Sequence, residues 1–293
     1  MREYTGAVLF VDILGISALT TSEKPLIEPR DFLALGAKTG SDGSNQLFCA
    51  NLLSKFRKTL RQRRRDGLHI SQLSDCAFLW SKKPSLVVEA ARDLFQQNAS
   101  TGILARAGMT YGQIIEPEKT NTSLGQFICG EAVTRAAKLE GAGKGSRVFI
   151  DREIGGLHIQ SMSPKAFEGL PNPSDYRVVD EFLWFSCPKD LESRADKAAR
   201  LKGIATQIIR FRHAPAFRWN ASSAAGRIHI GATIERLSVA AKALALEMNV
   251  EPPHFALQTS EVFQELYEDA QYSSEREQKL HARVERWHEE YKP

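Results

Sequence analysis

Ala7-Val8-Leu9-Phe10-Val11-Asp12-Ile13-Leu14-Gly15-Ile16-Ser17 is the stretch on which the fold turns. Residues 7 to 11 are all apolar, and a short apolar run closed by a turn signal predicts a buried central strand. That strand delivers Asp12 to its end. Gly15 then permits a tight turn, and Ser17 lies close to a helix start.

Outward from this strand, residues 22 to 45 carry Pro25, Pro29, Gly36, Gly40 and Gly43 and predict an irregular, mobile excursion. Leu52, Leu53, Phe56 and Leu60 give one apolar side to a helix over about 45 to 64. Asp66-Gly67 turns the chain into a hairpin, 69–73 and 76–80, with Asp75 at its tip. A helix over 85 to 99 follows. A strand over 104 to 110 then leads through Tyr111-Gly112 to Ile114-Ile115, and after a polar loop Phe127 to Gly130 returns to the core. Val133, Ala136, Ala137 and Glu140 predict a helix over 131 to 141, with strands at 147–150 and 178–185 beyond it. From 190 the texture becomes helical. Ile230, Ile234, Leu237, Ala241, Leu244 and Met248 form one stripe that ends before Pro252-Pro253, and Leu280, Val284, Trp287 and Tyr291 form another. The order predicts an α+β sandwich with a helical face over residues 1–186, and a mainly helical extension over 187–293 packed on the core or on a dimer.

The net charge of +4 and the 42% hydrophobic content describe an ordinary globular chain suited to an anionic substrate. The run Arg61, Arg63, Arg64 and Arg65 reads as a solvated helix end or as a phosphate contact. Finger spacing and a helix-turn-helix pattern are both missing, so a nucleic-acid partner is not expected. Cys49, Cys76, Cys129 and Cys187 lack the spacing of a zinc site or redox pair and read as reduced, mostly buried thiols. Met1-Arg2-Glu3-Tyr4 runs straight into strand, and no apolar run is long enough to cross a bilayer. A cytoplasmic chain without stable membrane contact is expected.

Asp12 and Asp75 stand out because each adjoins an apolar strand, where an isolated charge is costly. Each reads either as a turn or cap residue, or as a ligand to hard cations if the fold brings the two together. In the second reading, metal ions would activate a ribose 3′-OH and neutralise a triphosphate. The backbone of Ile13, Leu14, Gly15 and Ile16 would then offer N–H groups to the phosphates.

Four ordered stretches resemble the class III nucleotidyl cyclase family. Leu9 to Ser17 resembles its first metal motif, and Gln72-Leu73-Ser74-Asp75-Cys76-Ala77 the hairpin carrying its second metal-binding Asp. Arg106 to Gly112 resembles the following core hairpin, and Gly130 to Glu140 the catalytic helix. The resemblance spans roughly residues 5 to 150. It implies a cyclase-like α/β sandwich and a homodimer with composite sites. It also implies two divalent cations per site, Mn2+ or Mg2+, held by Asp12, Asp75 and the Ile13 carbonyl. The family's ribose-orienting Asn and phosphate-stabilising Arg are matched here by Thr134 and Lys138. Thr lacks the amide donor–acceptor pair of Asn, and Lys lacks the planar fork of Arg.

The adenine-reading positions hold Ser71 and Phe127. Ser71 can donate or accept a hydrogen bond, and Phe127 can stack on a base or pack in the core. Neither is the pair that reads adenine. With the short core and added C-terminal helices, this resembles the bacterial pyrimidine cyclases of Pycsar antiphage defence. That resemblance implies cyclic UMP or cyclic CMP made from UTP or CTP, with UTP favoured, and a separate effector that reads the product. Arg135 is a further expected substrate contact, with Arg57, Arg61 and Tyr111 secondary.

Overall fold

The computed structural model describes residues 1–37, 44–119, 126–151, 166–171, 178–185, 193–250 and 272–291. Its contacts divide the chain into two compact units that interleave along the sequence: 1–13, 53–97 and 105–190 in one, and 14–52, 98–104 and 191–293 in the other. Residues 14–52 thus group with the C-terminal helices, where a linear reading had divided the chain only at 186.

The first unit is built on a seven-stranded sheet. Its strands are β1 (Arg2–Ile13), β2 (His69–Leu73), β3 (Cys76–Ser81), β4 (Ala105–Glu116), β5 (Val148–Ile150), β6 (Phe167–Pro171) and β7 (Val178–Phe182), in the order β2-β3-β1-β4-β5-β7-β6. β1 starts at Arg2, ahead of the apolar run, because it pairs antiparallel with β4 along its whole length, from Arg2↔Glu116 to Ile13↔Ala105. Arg106 to Gly112 is therefore the first half of one long strand, correcting the expected hairpin. The ladder to β1 carries the chain straight through Tyr111-Gly112.

Three helices border these strands in sequence: α3 (Asn45–Arg61), α4 (Pro84–Thr101) and α5 (Glu131–Glu140). α5 lies across β1 and β4. Its buried Ala132 and Ala136 pack with Val8, Trp80 and Ile114, joined at the margin by Tyr4, Phe10, Phe78, Ile128 and Val133. Small residues on both sides allow this close approach. Side chains alternate along a strand, so this face also carries Asp12, Cys76, Ser71, Arg106 and Glu116.

In the second unit, α1 (Ile16–Thr21) and α2 (Pro29–Ala34) precede α3. α2 lies inside the segment expected to be irregular. Pro29 opens it, and Glu28 and Asp31 close a reciprocal capping box. The C-terminal helices are α6 (Arg194–His213), α7 (Arg218–Ala221), α8 (Ala224–Met248) and α9 (Ser274–Tyr291). The side chains of Ser193 and Ser223 cap α6 and α8, and Asn249 in a left-handed conformation closes α8. Ile230, Ile234, Leu237, Ala241 and Leu244 are buried, as are Leu201, Ile204 and Ile208 of α6. The stripe is a packing surface. Arg218 of α7 grips the buried Asp31 of α2. Among the described residues no helix is long and apolar enough to cross a membrane.

Candidate active site

Asp12 sits in the last turn of register between β1 and β3, opposite Cys76. The hairpin joining β2 to β3 is a tight two-residue loop, Ser74-Asp75, with Ser74 at φ 56. Its backbone is tied to the end of β1, because Ile13 N–H donates to the Asp75 carbonyl at 3.1 Å. Sheet pairing therefore brings the two acidic residues to one corner of the first unit.

Two further charged groups, which local sequence reading did not single out, complete this corner. Arg106 lies directly across the β1–β4 ladder from Asp12. Its guanidinium donates to Glu140 of α5 at 2.6 Å and to the Gly143 carbonyl at 2.5 Å. No spacing rule links residues 12, 106 and 140; only the strand register and the seating of α5 do.

Burial, then the negative charges of Glu140 and Asp75, push the Asp12 carboxyl up to about 7, against the opposing pull of Arg106. Burial first, then the charge of Asp12, also raises the Cys76 thiol. A carboxylate so destabilised in its charged form is suited to a cation. Among the described residues no group of three or more His, Cys, Asp or Glu side chains is arranged to hold a metal. Two carboxylates and a neighbouring backbone carbonyl are nonetheless the oxygen donors that a hard cation takes.

An acid whose folded pKa lies above its unfolded value keeps its proton longer in the folded chain. The contribution of Asp12 to the stability of the metal-free protein is therefore expected to be largest in acid and to fall by on the order of 1–3 kcal/mol between pH ~4 and ~7, after solvent screening. Thermal melts across that window check this. Asp12→Asn should flatten the profile and melt higher than the wild type at pH 8. Wild-type and variant profiles of equal slope would contradict it.

The remaining site residues fall into separate groups. In the second unit, Gly15 adopts φ 98 at the start of α1, and a Cβ added there would lie 2.9 Å from the Trp219 ring. The Asn220 amide donates to the Leu14 carbonyl at 3.2 Å. Leu14 N–H donates to the Leu104 carbonyl at 2.8 Å. The N–H groups of Ile13 and Leu14 are thus already engaged. This corrects the expectation that four successive amides serve phosphate.

Thr134 and Lys138 lie on the exposed side of α5, opposite the Ala132 and Ala136 that meet the sheet. The Thr134 hydroxyl is 3.4 Å from the Gly130 carbonyl. A single chain does not turn these two residues toward Asp12. Arg135 is engaged elsewhere: it reaches Glu131 at 3.2 Å and Asp151 at 2.5 Å, and Asp151 also accepts from Tyr111 N–H. Arg135 and Tyr111 thereby brace α5 to β4.

Phe127 is 56% exposed, so its core reading is overturned. Its neighbour Gln126 accepts a hydrogen bond from the Ser71 hydroxyl at 2.9 Å, which joins the two expected base-reading positions. Arg57 and Arg61 occupy the other face of the sheet. With Arg64, Leu60, Ile70 and Gln72 they line a concavity of about 270 Å³, and Arg57 donates to Gln72 at 3.0 Å. The rest of the arginine run is paired, Arg63 with Asp93 and Arg65 with Glu89 and Asp93.

No family model matches the chain, and no curated protein matches it. Among solved structures it is similar to the guanylate cyclase domain of RhGC from Catenaria anguillulae in complex with GTP, at 14% identity over 62% of this chain and 97% of that one, with a TM-score of 0.42. It is also similar to the dimeric guanylyl cyclase domain of the RhoGC fusion protein from Blastocladiella emersonii, at 14% identity over 62% and 98%, with a TM-score of 0.43. A third is the adenylyl cyclase CyaB from P. aeruginosa, at 17% identity over 62% and 95%, with a TM-score of 0.40.

Proposed function

We propose that this chain is a pyrimidine nucleotide cyclase, which converts UTP to 3′,5′-cyclic UMP and pyrophosphate and supplies a second messenger to a separate antiphage effector. The observation that carries this reading is the meeting of Asp12 and Asp75 where Ile13 pairs with the hairpin tip. Two acidic residues far apart in sequence would otherwise be unrelated turn residues.

Asp12, Asp75 and the Ile13 carbonyl would hold two divalent cations, Mn2+ in preference to Mg2+. When bound, such cations acidify the ribose 3′-OH and neutralise the triphosphate and the departing pyrophosphate. The chain itself positions the nucleotide and excludes water, and no covalent enzyme intermediate is required.

The outward placement of Thr134 and Lys138 suits a homodimer, in which each copy presents its α5 to a nucleotide held by the other. Thr134 would hydrogen-bond the ribose. Lys138 would place positive charge beside the transferring phosphate, without the bidentate grip of Arg. Lys138→Ala is expected to lower kcat about 10- to 100-fold with little change in KM, since that charge acts mainly in the transition state. Steady-state kinetics check this, and an unchanged kcat would remove Lys138 from the mechanism.

Ser71 and Phe127 support a pyrimidine over adenine, because neither is the lysine-and-carboxylate pair that reads adenine. CTP, which differs from UTP at the base 4-position, is the nearest alternative substrate. The purified chain should be incubated separately with UTP, CTP, ATP and GTP plus Mn2+, and the products identified by mass. Cyclic UMP is expected. Absence of every cyclic product from folded, metal-loaded dimer would point instead to a catalytically silent, cyclase-like nucleotide sensor, a reading favoured by Thr134 and Lys138 standing where Asn and Arg are expected.

A further inference from the structure

Away from the acidic corner, Glu116 at the far end of β4 is a buried carboxylate on the α5 face of the sheet, 2% exposed. A buried carboxylate is costly unless its oxygens are satisfied. Here Trp80 Nε1 donates to Oε2 at 2.8 Å, Gln126 Nε2 donates to the same oxygen at 3.1 Å, and Arg2 reaches Oε1 at 2.8 Å. The Tyr4 phenol also bonds to this carboxylate, and burial together with the Glu116 charge pushes it up to about 12. Tyr4 therefore remains a donor near neutral pH.

One of these partners leads back to the base-reading positions. Gln126 gives its side chain to Glu116 and its carbonyl to the Ser71 hydroxyl. Immediately beyond it, Phe127 is exposed, and Cys129 is fastened to Ile115 by two hydrogen bonds of 2.9 Å. The segment is thus pinned at both ends, at Gln126 by Glu116 and at Cys129 by β4, with Phe127 between them.

We infer that Glu116 is a positioning residue for base selectivity, acting through Gln126 to fix the Phe127 ring and to commit the Ser71 hydroxyl proton. This rests on the cyclase reading above and deepens it. A hydroxyl whose proton is given to the Gln126 carbonyl has only lone pairs left for a ligand. Ser71 then faces the nucleobase as an acceptor and favours a base edge that turns an N–H toward it, as uracil does at N3 and cytosine at its 4-amino group. Purines also carry N–H donors, so discrimination against them rests on this acceptor together with the position of the Phe127 ring. Releasing Gln126 frees the Ser71 hydroxyl to rotate and donate, and frees the Phe127 ring to leave its position.

The test compares wild type, Glu116→Gln, Gln126→Ala and Ser71→Ala for kcat and KM with each of UTP, CTP, ATP and GTP. It also measures equilibrium binding of each triphosphate by calorimetry. Gln126→Ala and Glu116→Gln are expected to raise KM for the preferred base about tenfold and to cut its kcat/KM advantage over the other bases by a similar factor, with kcat changed far less. Mn2+ affinity, read separately by titration, should not move, because the metal-binding corner lies at the opposite end of the sheet. N3-methyl-UTP should be discriminated against by wild type and no longer by Ser71→Ala if uracil is the base. Gln126 is not in the core, so its variant keeps the test alive should Glu116→Gln unfold. A folded Gln126→Ala chain with unaltered selectivity in both turnover and binding would overturn the inference while leaving the cyclase reading intact. A wild-type chain that neither cyclises nor binds any triphosphate would sink the cyclase reading first, and this inference with it.

Discussion

Asp12→Asn and Asp75→Asn should each lower turnover at least about 10³-fold, because cation binding at such a corner supplies several kcal/mol of transition-state stabilisation and each 1.4 kcal/mol is a factor of ten. The amide keeps the size of the side chain and removes its charge. Neither substitution should unfold the protein. Asp12 gains no stability from its charge in the metal-free chain, since burial and the carboxylates of Glu140 and Asp75 disfavour the ionised form. Asp12→Asn is therefore expected to be inactive yet at least as stable as wild type above neutral pH. Kinetics with Mn2+, alongside melting curves, test both halves. Near-native turnover in both variants would reject the metal assignment. A large loss of stability would instead mark Asp12 as a structural turn residue.

Gly108→Ala is expected to cost about 4 kcal/mol or more, placing it among the few substitutions severe enough to threaten a fold. A Cβ built at Gly108 would lie 2.1 Å from the Ala136 carbonyl oxygen and 2.6 Å from the Glu140 amide nitrogen. Both are backbone atoms of α5, so no side-chain rotation relieves the clash; the helix must move off the sheet. Glu140 would move with it, loosening the 2.6 Å contact with Arg106 beside Asp12. Stability and activity should thus fall together. For a chain of this size the melting temperature should drop by about 8 °C or more. A variant melting within two or three degrees of wild type would show that α5 is not seated on β4 as described.

Most of the elements near the site were legible in the sequence. Five apolar residues in a row, Asp66-Gly67, and the alternation around Ser74-Asp75 are local signals, and they predicted a strand ending in Asp12 and a hairpin tipped by Asp75. The misreadings came where a tertiary partner overrode such a signal. Arg106 to Gly112 resembles a hairpin, but β1 extends one unbroken ladder through it. Phe127 reads as a core residue by its hydrophobicity, but its neighbours are used to hold the segment and its ring stays exposed.

The sequence by itself determined most of the strands and helices and which carboxylates stand at strand ends, because backbone periodicity and turn chemistry act over a few residues. Only the tertiary structure decided that Asp12 and Asp75 share a corner with Arg106 and Glu140, that Thr134 and Lys138 look outward, and that Ser71 gives its proton to Gln126. Those relations follow from strand register and helix seating, which are fixed by burying side chains distant in sequence against one another, and no local pattern encodes them.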